Sequence, residues 1–233
     1  MKLFRSARSL TERLVRRVFY KYYARNLFYE LQLRARSSSA DYVEQHMADA
    51  VIFWSLAEIL SYCVQRAPAT GLLLEFGVAT GKSINLIAAA AGEREVHGFD
   101  SFEGLPEDWH GHVETRGSFS RAGRMPQVRA NVRLHRGWFR DTLKEFKQAY
   151  PGPVAFLHID CDLYSSTREV LEELADRLQP GTVIEFDEYF NYPNWRQHEF
   201  RAWQEFVRSR GIAYRYLAMT AADGRVALVI TSI

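Results

Sequence analysis

Carboxylates gather at the ends of two apolar stretches in the second half of the chain. The stretches are 156–159 and 182–186, and the acids that follow them are Asp160, Asp162, Asp187 and Glu188. If both stretches are parallel strands, their acids meet at one edge of a sheet, where mutual repulsion requires a cation. Oxygen ligands favour a hard cation such as Mg²⁺, and no Cys or His cluster offers zinc a site.

A glycine loop follows the first predicted strand, 71–76, and holds Gly77 and Gly81. Glycines let a backbone turn tightly and approach a ligand, and the next helix offers free N–H groups. The loop is not a P-loop, which requires glycine at position 76, and Ala79 replaces the second glycine of a dinucleotide motif. Asp100 ends the next strand about 20 residues later, the distance at which doubly wound folds present an acid to a ribose. The pattern indicates an adenosine-containing ligand without a pyrophosphate; the alternative is that loop and acid serve only the turn.

Strand and helix patterns alternate through the rest of the chain. Strands are predicted over 71–76, 95–100, 131–135, 154–159 and 182–186, with a closing hairpin over 213–219 and 225–230. Helices are predicted over 84–91, 138–150, a stretch opened by a capping box at 166–169, and 200–210. A long connection spans 101–130. This order predicts a doubly wound, mostly parallel α/β sheet of seven strands with an antiparallel C-terminal hairpin.

The first 36 residues differ in charge from everything that follows. They hold ten basic and two acidic side chains, which gives a formal charge of +8 against −6 for the rest of the chain. Apolar residues four apart, from Leu10 to Tyr22, predict a basic amphipathic helix over 10–31 that is rich in aromatics. Three interpretations stay open: contact with anionic lipid, packing on its own domain or on a second subunit in a homo-oligomer, and a mitochondrial transit peptide.

Ser37, Ser38 and Ser39 predict a short break, and helical spacing resumes over 42–65. We therefore expect a helical extension over 1–40 and one domain over 41–233. The net charge of +2 does not indicate a nucleic-acid partner. Two distant cysteines and the absence of an apolar run of about 20 residues predict a reduced, cytoplasmic protein that is at most peripheral to a membrane.

Four motifs in this order resemble the macrocin O-methyltransferase family of class I S-adenosylmethionine-dependent enzymes. They are Glu75-Phe-Gly-x-x-x-Gly81, Gly98-Phe-Asp-Ser-Phe-Glu-Gly-Leu-Pro106, His158-Ile-Asp-x-Asp-Leu-Tyr164 and Asp187-Glu188-Tyr189. The resemblance covers about residues 45–230. It implies a seven-stranded methyltransferase sheet, S-adenosylmethionine, Mg²⁺ and methylation of a small-molecule hydroxyl, typically on a sugar of a natural product.

The resemblance also implies roles for individual residues. The metal-ligand positions are Asp160, Asp187 and Glu188, and Asp162 matches the general base. The implied cofactor contacts are Glu75, Gly77, Gly81, Ser83, Asp100, Ser101, Gly137 and Trp138, of which the last two lie where the adenine rests. The family commonly has two aspartates before the tyrosine, whereas this chain has Asp187-Glu188.

Methyl transfer needs a hydroxyl oxygen that is held in line and relieved of its proton. Mg²⁺ would polarise that hydroxyl and Asp162 would take the proton. Which of Asp160 and Asp162 ligates and which acts as base is left open by the pattern. His158 is a further catalytic candidate, and the alternative is a hydrogen-bonded core histidine.

Other classes of protein also carry an Asp-x-Asp after an apolar strand. An aspartyl phosphatase has it on the first strand, whereas here it follows the fourth. A metal-dependent glycosyltransferase, which acts on nucleotide sugars, has no evident use for the loop at 77–81 with Asp100. A membrane-attached adaptor without catalysis is a third alternative, although no metal acid has been lost. Residues 191–199 are expected to overhang the site.

Overall fold

The computed structural model describes residues 2–233, with the side chains of residues 10–21 and 23–233. Tyr22, one of the apolar positions of the predicted first helix, has its side chain outside that set. Within this part of the chain there are seven α-helices: α1 (Lys2–Phe19), α2 (Leu27–His46), α3 (Leu56–Arg66), α4 (Lys82–Ala90), α5 (Phe139–Ala149), α6 (Tyr164–Glu173) and α7 (Glu199–Arg210). A π-helical turn, Tyr20–Ala24, follows α1.

One sheet runs through the centre of the molecule. Its strands among the described residues are β1 (Val51–Phe53), β2 (Leu72–Phe76), β3 (Val96–Asp100), β4 (Val132–Arg136), β5 (Val154–Ile159), β6 (Val183–Phe186), β7 (Ala213–Thr220) and β8 (Val226–Ser232). The spatial order is β1-β7-β8-β6-β5-β2-β3-β4, and only the pairs that include β8 are antiparallel. The predicted α/β class, mostly parallel with an antiparallel C-terminal hairpin, is confirmed.

The central strands are apolar throughout because helices cover both faces of the sheet. Every residue of β5 is buried. On one face Leu74 and Leu157 pack with the apolar side chains of α5, α6 and α7. On the other face Leu73 and Phe156 pack with those of α3 and α4. This burial fixes where β5 and β6 end, and therefore where the acids that follow them lie.

The predicted helix over 42–65 is wrong, because α2 ends at His46 and α3 begins only at Leu56. The residues between them include β1, which pairs in parallel with β7 at the edge of the sheet. This strand raises the total above the predicted seven. Its partner lies far away in sequence, so local periodicity gives no sign of the pairing.

Two other helix boundaries also differ from prediction. The helix expected over 10–31 is interrupted, and Asn26 starts α2 by accepting a hydrogen bond at Oδ1 from the N–H of Tyr29, at 3.1 Å. The expected capping box at 166–169 does not form, because α6 already begins at Tyr164. The residue at the N-cap is Leu163, whose side chain makes no capping hydrogen bond. The tight turn that follows β5 sets this start, because the Leu163 N–H donates to the Cys161 carbonyl at 2.6 Å.

The serine run is not a break but the part of α2 that docks on the loop after β6. The Ser39 hydroxyl donates to the Ala35 carbonyl at 2.8 Å and accepts from the Asn191 N–H at 2.9 Å. Ser38 Oγ accepts from the indole N–H of Trp195 at 3.2 Å. Small hydroxylated side chains let helix and loop approach closely while satisfying buried donors.

Helix α2 crosses residue 40, where a boundary between two domains was expected. Its second half belongs to the packed body: Ala35 and Met47 lie in the core, and the hydroxyl of Tyr42 bonds that of Tyr216 at 2.5 Å. The division into 1–40 and 41–233 stays a prediction. Within the described residues, no helix combines the length and hydrophobicity needed to span a bilayer.

Replacing Ser39 tests this docking. We expect Ser39→Ala to lower the free energy of unfolding by about 1–3 kcal/mol, because the partly buried Asn191 N–H loses its acceptor. Ser37→Ala, at an exposed position of the same helix, is the matched control and should change it by less than about 0.5 kcal/mol. Urea denaturation of the three proteins measures both. Equal effects would mean that the Ser39 contact contributes nothing specific.

Candidate active site

The acids after β5 and β6 line one large cavity at the carboxyl edge of the sheet. Its volume is about 1110 Å³, and its wall includes the four predicted acids, Asp160, Asp162, Asp187 and Glu188. The predicted cofactor contacts in the same wall are Gly77, Asp100, Ser101 and Trp138. The lining does not include Glu75, Gly81, Ser83, Gly137 or His158. Metal-type and cofactor-type side chains therefore share one chamber.

Gly77 lets the glycine loop press against the strand that carries the acids. Its φ is +94°, and a Cβ there would lie 1.7 Å from the carbonyl oxygen of Asp160. No other residue type fits without moving the backbone. The loop and Asp160 are thus held in direct contact, which fixes the distance between the two halves of the site.

Asp100 holds the glycine loop from the other side. One carboxylate oxygen accepts from the N–H groups of Val78 and Ala79, at 2.8 and 2.7 Å, and the other accepts from Phe102 at 2.6 Å. The side chain therefore shapes two turns as well as lining the cavity. A carboxylate has about four acceptor sites, so these three bonds leave capacity for a ligand hydroxyl.

The remaining predicted cofactor residues lie just behind the wall. Gly81 caps α4 in the left-handed conformation, and Ser83 is buried in the first turn of that helix. The N–H of Gly137 donates to the Asp100 carbonyl at 3.0 Å. The next residue, Trp138, is the N-cap of α5. These residues support the loop, and direct contact with a cofactor stays a prediction for each of them.

Three carboxylates form a cluster suited to a cation. Asp160, Asp187 and Glu188 each present an oxygen within 4.8 Å of the other two. Oε2 of Glu188 is buried and has no hydrogen-bond partner among the described residues. An unpaired buried carboxylate oxygen beside two others, with no nitrogen or sulfur in the set, fits a hard divalent cation such as Mg²⁺.

His158 lies beneath this cluster in a fully buried charged row. Its Nδ1 is 2.8 Å from Oε1 of Glu75, and its Nε2 is 2.8 Å from Oε2 of Glu185, although the latter pair is not aligned for a hydrogen bond. Burial alone would lower the pKa of His158, but the carboxylates of Glu185, Asp187 and Glu75 raise it well above its usual value. An imidazolium cannot ligate a metal. The geometry favours the core interpretation, and a catalytic role for His158 stays a prediction.

Three charged residues of the site were missed by sequence reasoning: Glu185, Glu199 and Arg225. Glu185 interrupts an apolar strand, and that signal was available. Arg225, the residue before β8, donates to both carboxylate oxygens of Asp187 from two guanidinium nitrogens, at 2.5 and 3.2 Å. No local pattern connects residues so far apart in the chain.

Glu199 joins the two loops that carry the acids. It is fully buried at the start of α7, and its two oxygens accept from the backbone N–H groups of Asp162 and Glu188, at 3.2 and 3.1 Å. Asp162 sits in the left-handed conformation, with φ of +63°. A non-glycine residue in that conformation needs outside support. Glu199 supplies part of it and so fixes where Asp162 points.

Burial dominates the acidity of these groups. It raises the pKa of Asp162 to about 7, and it raises the pKa values of Asp160, Glu188 and Glu199 well above the usual range, with neighbouring carboxylates adding to the effect. Asp187 is the exception: burial raises its pKa, but His158 and Arg225 more than offset this and lower it. The site therefore concentrates negative charge that protons or a cation must balance.

Comparison with known sequences identifies related proteins. A family model for the methyltransferase domain matches residues 74–189. The chain is 37% identical over 155 residues to the 8-demethyl-8-(2,3-dimethoxy-alpha-L-rhamnosyl)-tetracenomycin-C 4'-O-methyltransferase of Streptomyces olivaceus, covering 56% of this chain and 58% of that protein. It is 30% identical over 199 residues to the mycinamicin III 3''-O-methyltransferase of Micromonospora griseorubida, covering 72% and 75%. The chain thus spans less than two thirds of the first relative's length.

A solved structure has a similar fold. The calicheamicin methyltransferase CalS11 superposes with a TM-score of 0.59 at 25% identity, covering 74% of this chain and 76% of that one. An apo structure of CalS11 describes it as a TDP-rhamnose 3'-O-methyltransferase.

The raised pKa values predict how pH and Mg²⁺ act on stability. Between about pH 4 and the raised pKa values, the folded protein holds protons that the unfolded chain releases, so its stability falls as pH rises through that window. A Mg²⁺ ion held by this cluster would need its carboxylates ionised, so any stabilisation by Mg²⁺ should grow over the same range. At about 100 times its dissociation constant a bound ion would add about 2.7 kcal/mol to the free energy of unfolding.

Thermal melts at about pH 5 and pH 8, with Mg²⁺ or with NaCl of equal ionic strength, measure this effect. We expect the cation-free protein to melt lower at the higher pH, and Mg²⁺ to raise the melting temperature mainly there. A Mg²⁺ shift that is equal at both pH values, or larger in acid, would contradict the prediction.

Proposed function

Because the chain belongs to the macrocin O-methyltransferase-like family of class I S-adenosylmethionine-dependent methyltransferases, we propose that it methylates a hydroxyl of a sugar or glycosylated natural product with the help of Mg²⁺. The observation that carries the proposal is the group of three carboxylates, Asp160, Asp187 and Glu188, in the cavity wall that also holds the glycine loop. The name of the tetracenomycin relative gives a rhamnosyl natural product as its substrate, and that of the mycinamicin relative gives O-methylation of mycinamicin III. Family membership also removes the support for a phosphatase or a glycosyltransferase.

The cofactor subsite is proposed along the loop and the ends of β2, β3 and β4. Asp100 offers its remaining acceptor sites to ribose hydroxyls, and Trp138 offers a flat apolar surface for an adenine. The residues fit such a group because Gly77 keeps the loop against the acids without a side chain between them. S-Adenosylmethionine would supply a methyl group on a sulfonium, which an acceptor oxygen takes by in-line attack on the methyl carbon while the thioether leaves.

The proposed metal ligands are Asp160, Asp187 and Glu188. A bound Mg²⁺ would supply Lewis acidity towards the acceptor hydroxyl. Arg225 holds Asp187 in its ionised form through the two-nitrogen contact. Glu188 offers the buried oxygen that lacks a partner within the described chain. This oxygen supports the proposal that Glu188 ligates the metal at the position where the family commonly has an aspartate.

Asp162 is the proposed general base. Burial raises its pKa to about 7, and near neutral pH such a base combines a useful ionised fraction with strength as a proton acceptor. The Glu199 carboxylate accepts from the backbone N–H of Asp162, and this bond helps to orient the Asp162 carboxylate within the cavity wall. His158 lies beneath the acids, and its positive charge offsets part of their negative charge.

The membrane interpretation of the N-terminal segment is also a proposal. Large apolar side chains of this segment are exposed, among them Leu10, Leu14, Val15, Val18 and Phe19. Their exposure argues against packing on the chain's own domain, and leaves a lipid surface, a second subunit and a transit peptide as interpretations. An apolar stripe beside the basic charge of residues 1–36 suits an anionic lipid surface. We propose such a surface as the partner of α1.

Replacing a metal ligand tests the proposed reaction. We expect Asp160→Asn to lower Mg²⁺-dependent methyl transfer by about 100-fold or more, since even indirect changes at metal sites cost about 10–100-fold. Calorimetry with S-adenosylmethionine and with Mg²⁺, each titrated separately, should show retained cofactor binding and lost metal binding. Asp49→Asn, at an exposed position, is the control. Full activity of Asp160→Asn, or no cofactor binding by the unaltered protein, would refute the proposal.

Vesicle co-sedimentation tests the lipid contact. The full chain should pellet with anionic phosphatidylglycerol vesicles and not with neutral phosphatidylcholine, and a Leu14→Ser/Val18→Ser variant should lose most of that binding because the apolar stripe is interrupted. Val113→Ser, which replaces an apolar residue exposed elsewhere, should pellet like the unaltered chain. Equal pelleting of all three proteins would refute the contact. Concentration-dependent dimerisation that the double variant abolishes would indicate a second copy as the partner instead.

A further inference from the structure

The acids at the carboxyl edge of the sheet are held in two different ways. The backbone N–H groups of Asp160 and Asp187, the first acid after each strand, donate to carbonyl groups at the ends of β2 and β5, both at 2.9 Å. Asp162 and Glu188 lie beyond these last bonds of the sheet, so their N–H groups need acceptors elsewhere. The strands therefore position the first acid of each pair and leave the second to another part of the chain.

Asp162 lies at the centre of a tight, strained turn. The N–H of Leu163 donates to the carbonyl of Cys161 at 2.6 Å, which closes a three-residue γ-turn. The φ of Asp162 is +63°, and a positive φ marks the rarer, strained form of this turn. Such a conformation persists only where the surrounding structure enforces it. The turn that carries the proposed general base therefore depends on a contact outside itself.

Glu199 makes that contact, and it makes a matching contact with the loop after β6. Its Oε1 accepts from the N–H of Asp162 at 3.2 Å, and its Oε2 accepts from the N–H of Glu188 at 3.1 Å. One side chain thus pairs both backbone donors that lie beyond the sheet. A carboxylate is suited to this task because both of its ends accept, whereas a carboxamide would set its own N–H₂ group against one of the two donors.

A carboxylate is nevertheless costly at this position. Glu199 is fully buried, and the charged groups that act on it most are the carboxylates of Asp162, Asp187 and Glu185. Burying a charge among others of the same sign costs free energy. The helix dipole offsets part of this cost, since Glu199 is the first residue of α7. The two backbone donors give a reason for a charged side chain here that helix stability alone does not.

Helix α7 gives this carboxylate a rigid base. Ala202 and Trp203, in the first two turns of the helix, are buried. The Trp203 ring packs on Phe186, the last residue of β6, with ring centroids 5.7 Å apart. The start of α7 is therefore fixed to the same sheet whose strands end in the acids.

Resting on the function proposed above, we infer that Glu199 is a positioning residue that holds the turn of the general base and the loop of the metal ligand in one fixed arrangement. Glu199 does not line the cavity, so it acts through Asp162 and Glu188 and not on a ligand. We call its two hydrogen bonds the Glu199 bridge. Loss of either bond would let one acid move relative to the other.

Amide hydrogen exchange, followed by NMR on the full-length protein without Mg²⁺, tests the bridge directly. In the unaltered protein the N–H groups of Asp162 and Glu188 should exchange at least about 100-fold more slowly than in an unstructured chain, because hydrogen-bonded amides exchange only when the structure opens. Exchange at the unstructured rate for either amide would overturn the inference. This reading needs neither a substitution nor activity.

Glu199→Gln removes one of the two acceptor oxygens at nearly constant volume. Exchange at Asp162, at Glu188 or at both should accelerate about 10-fold or more, while the amides of Asp160 and Asp187, which the strands hold, keep their rates. Unchanged exchange at all four amides would overturn the inference. Equal acceleration at all four would indicate general loosening of the fold and would also overturn it. If the variant does not fold, the reading on the unaltered protein decides.

Calorimetry measures the consequence for the metal site. In Glu199→Gln, Mg²⁺ should bind about 10–100-fold more weakly, as is typical when a residue that orients a metal ligand is replaced. Affinity for S-adenosylmethionine should stay the same, whereas a variant that is only destabilised would lose both affinities. Glu205→Gln, exposed on the same helix, is the matched control and should change neither.

Unchanged Mg²⁺ affinity in Glu199→Gln, or an equal loss of both affinities, would overturn the positioning role. An unaltered protein that binds no Mg²⁺ would count against the proposed function instead. The exchange measurement would then decide the bridge, because it is made without the cation.

Discussion

Repulsion among buried carboxylates is the constraint on which the rest of this structure depends. Two adjacent strands end in acids at the same sheet edge, and packing of both sheet faces prevents those ends from moving apart. Positive charge reaches the acids from His158 beneath them and from Arg225, the residue before β8. The backbone N–H groups of Asp162 and Glu188 donate to the carboxylate of Glu199. What these do not balance is left for protons or for a cation.

The same balance explains why structural and chemical roles overlap in the site. Asp100 both lines the cavity and accepts three backbone hydrogen bonds that shape the glycine loop. Gly77 has no side chain, yet it fixes the spacing between that loop and Asp160. A change at either position therefore alters geometry and chemistry together, and activity alone does not separate the two.

Sequence reasoning reached the sheet and the four acids because each depends on a local pattern. An apolar run that ends in carboxylates is visible in the chain itself, and the parallel order follows from the alternation of strands and helices. The pairing of β1 with β7, the docking of Ser39 on Asn191 and the grip of Arg225 on Asp187 depend on partners far away in sequence. Their residues carry no local signal of those contacts. The capping box at 166–169 failed for a related reason, since the turn after β5 had already started the helix.

The contact between α2 and the loop after β6 also bears on the order in which the protein folds. Ser39 and Gln32, made early in synthesis, bond to Asn191, which is made late. Parallel strands add further contacts between distant parts of the chain, and such topologies fold slowly because long loops must close first. The Arg225 contact of Asp187 forms only after the chain has been synthesised as far as residue 225. We therefore expect the acidic edge to stay hydrated until these distant segments dock, and the electrostatic cost of burying its carboxylates to be met late in folding.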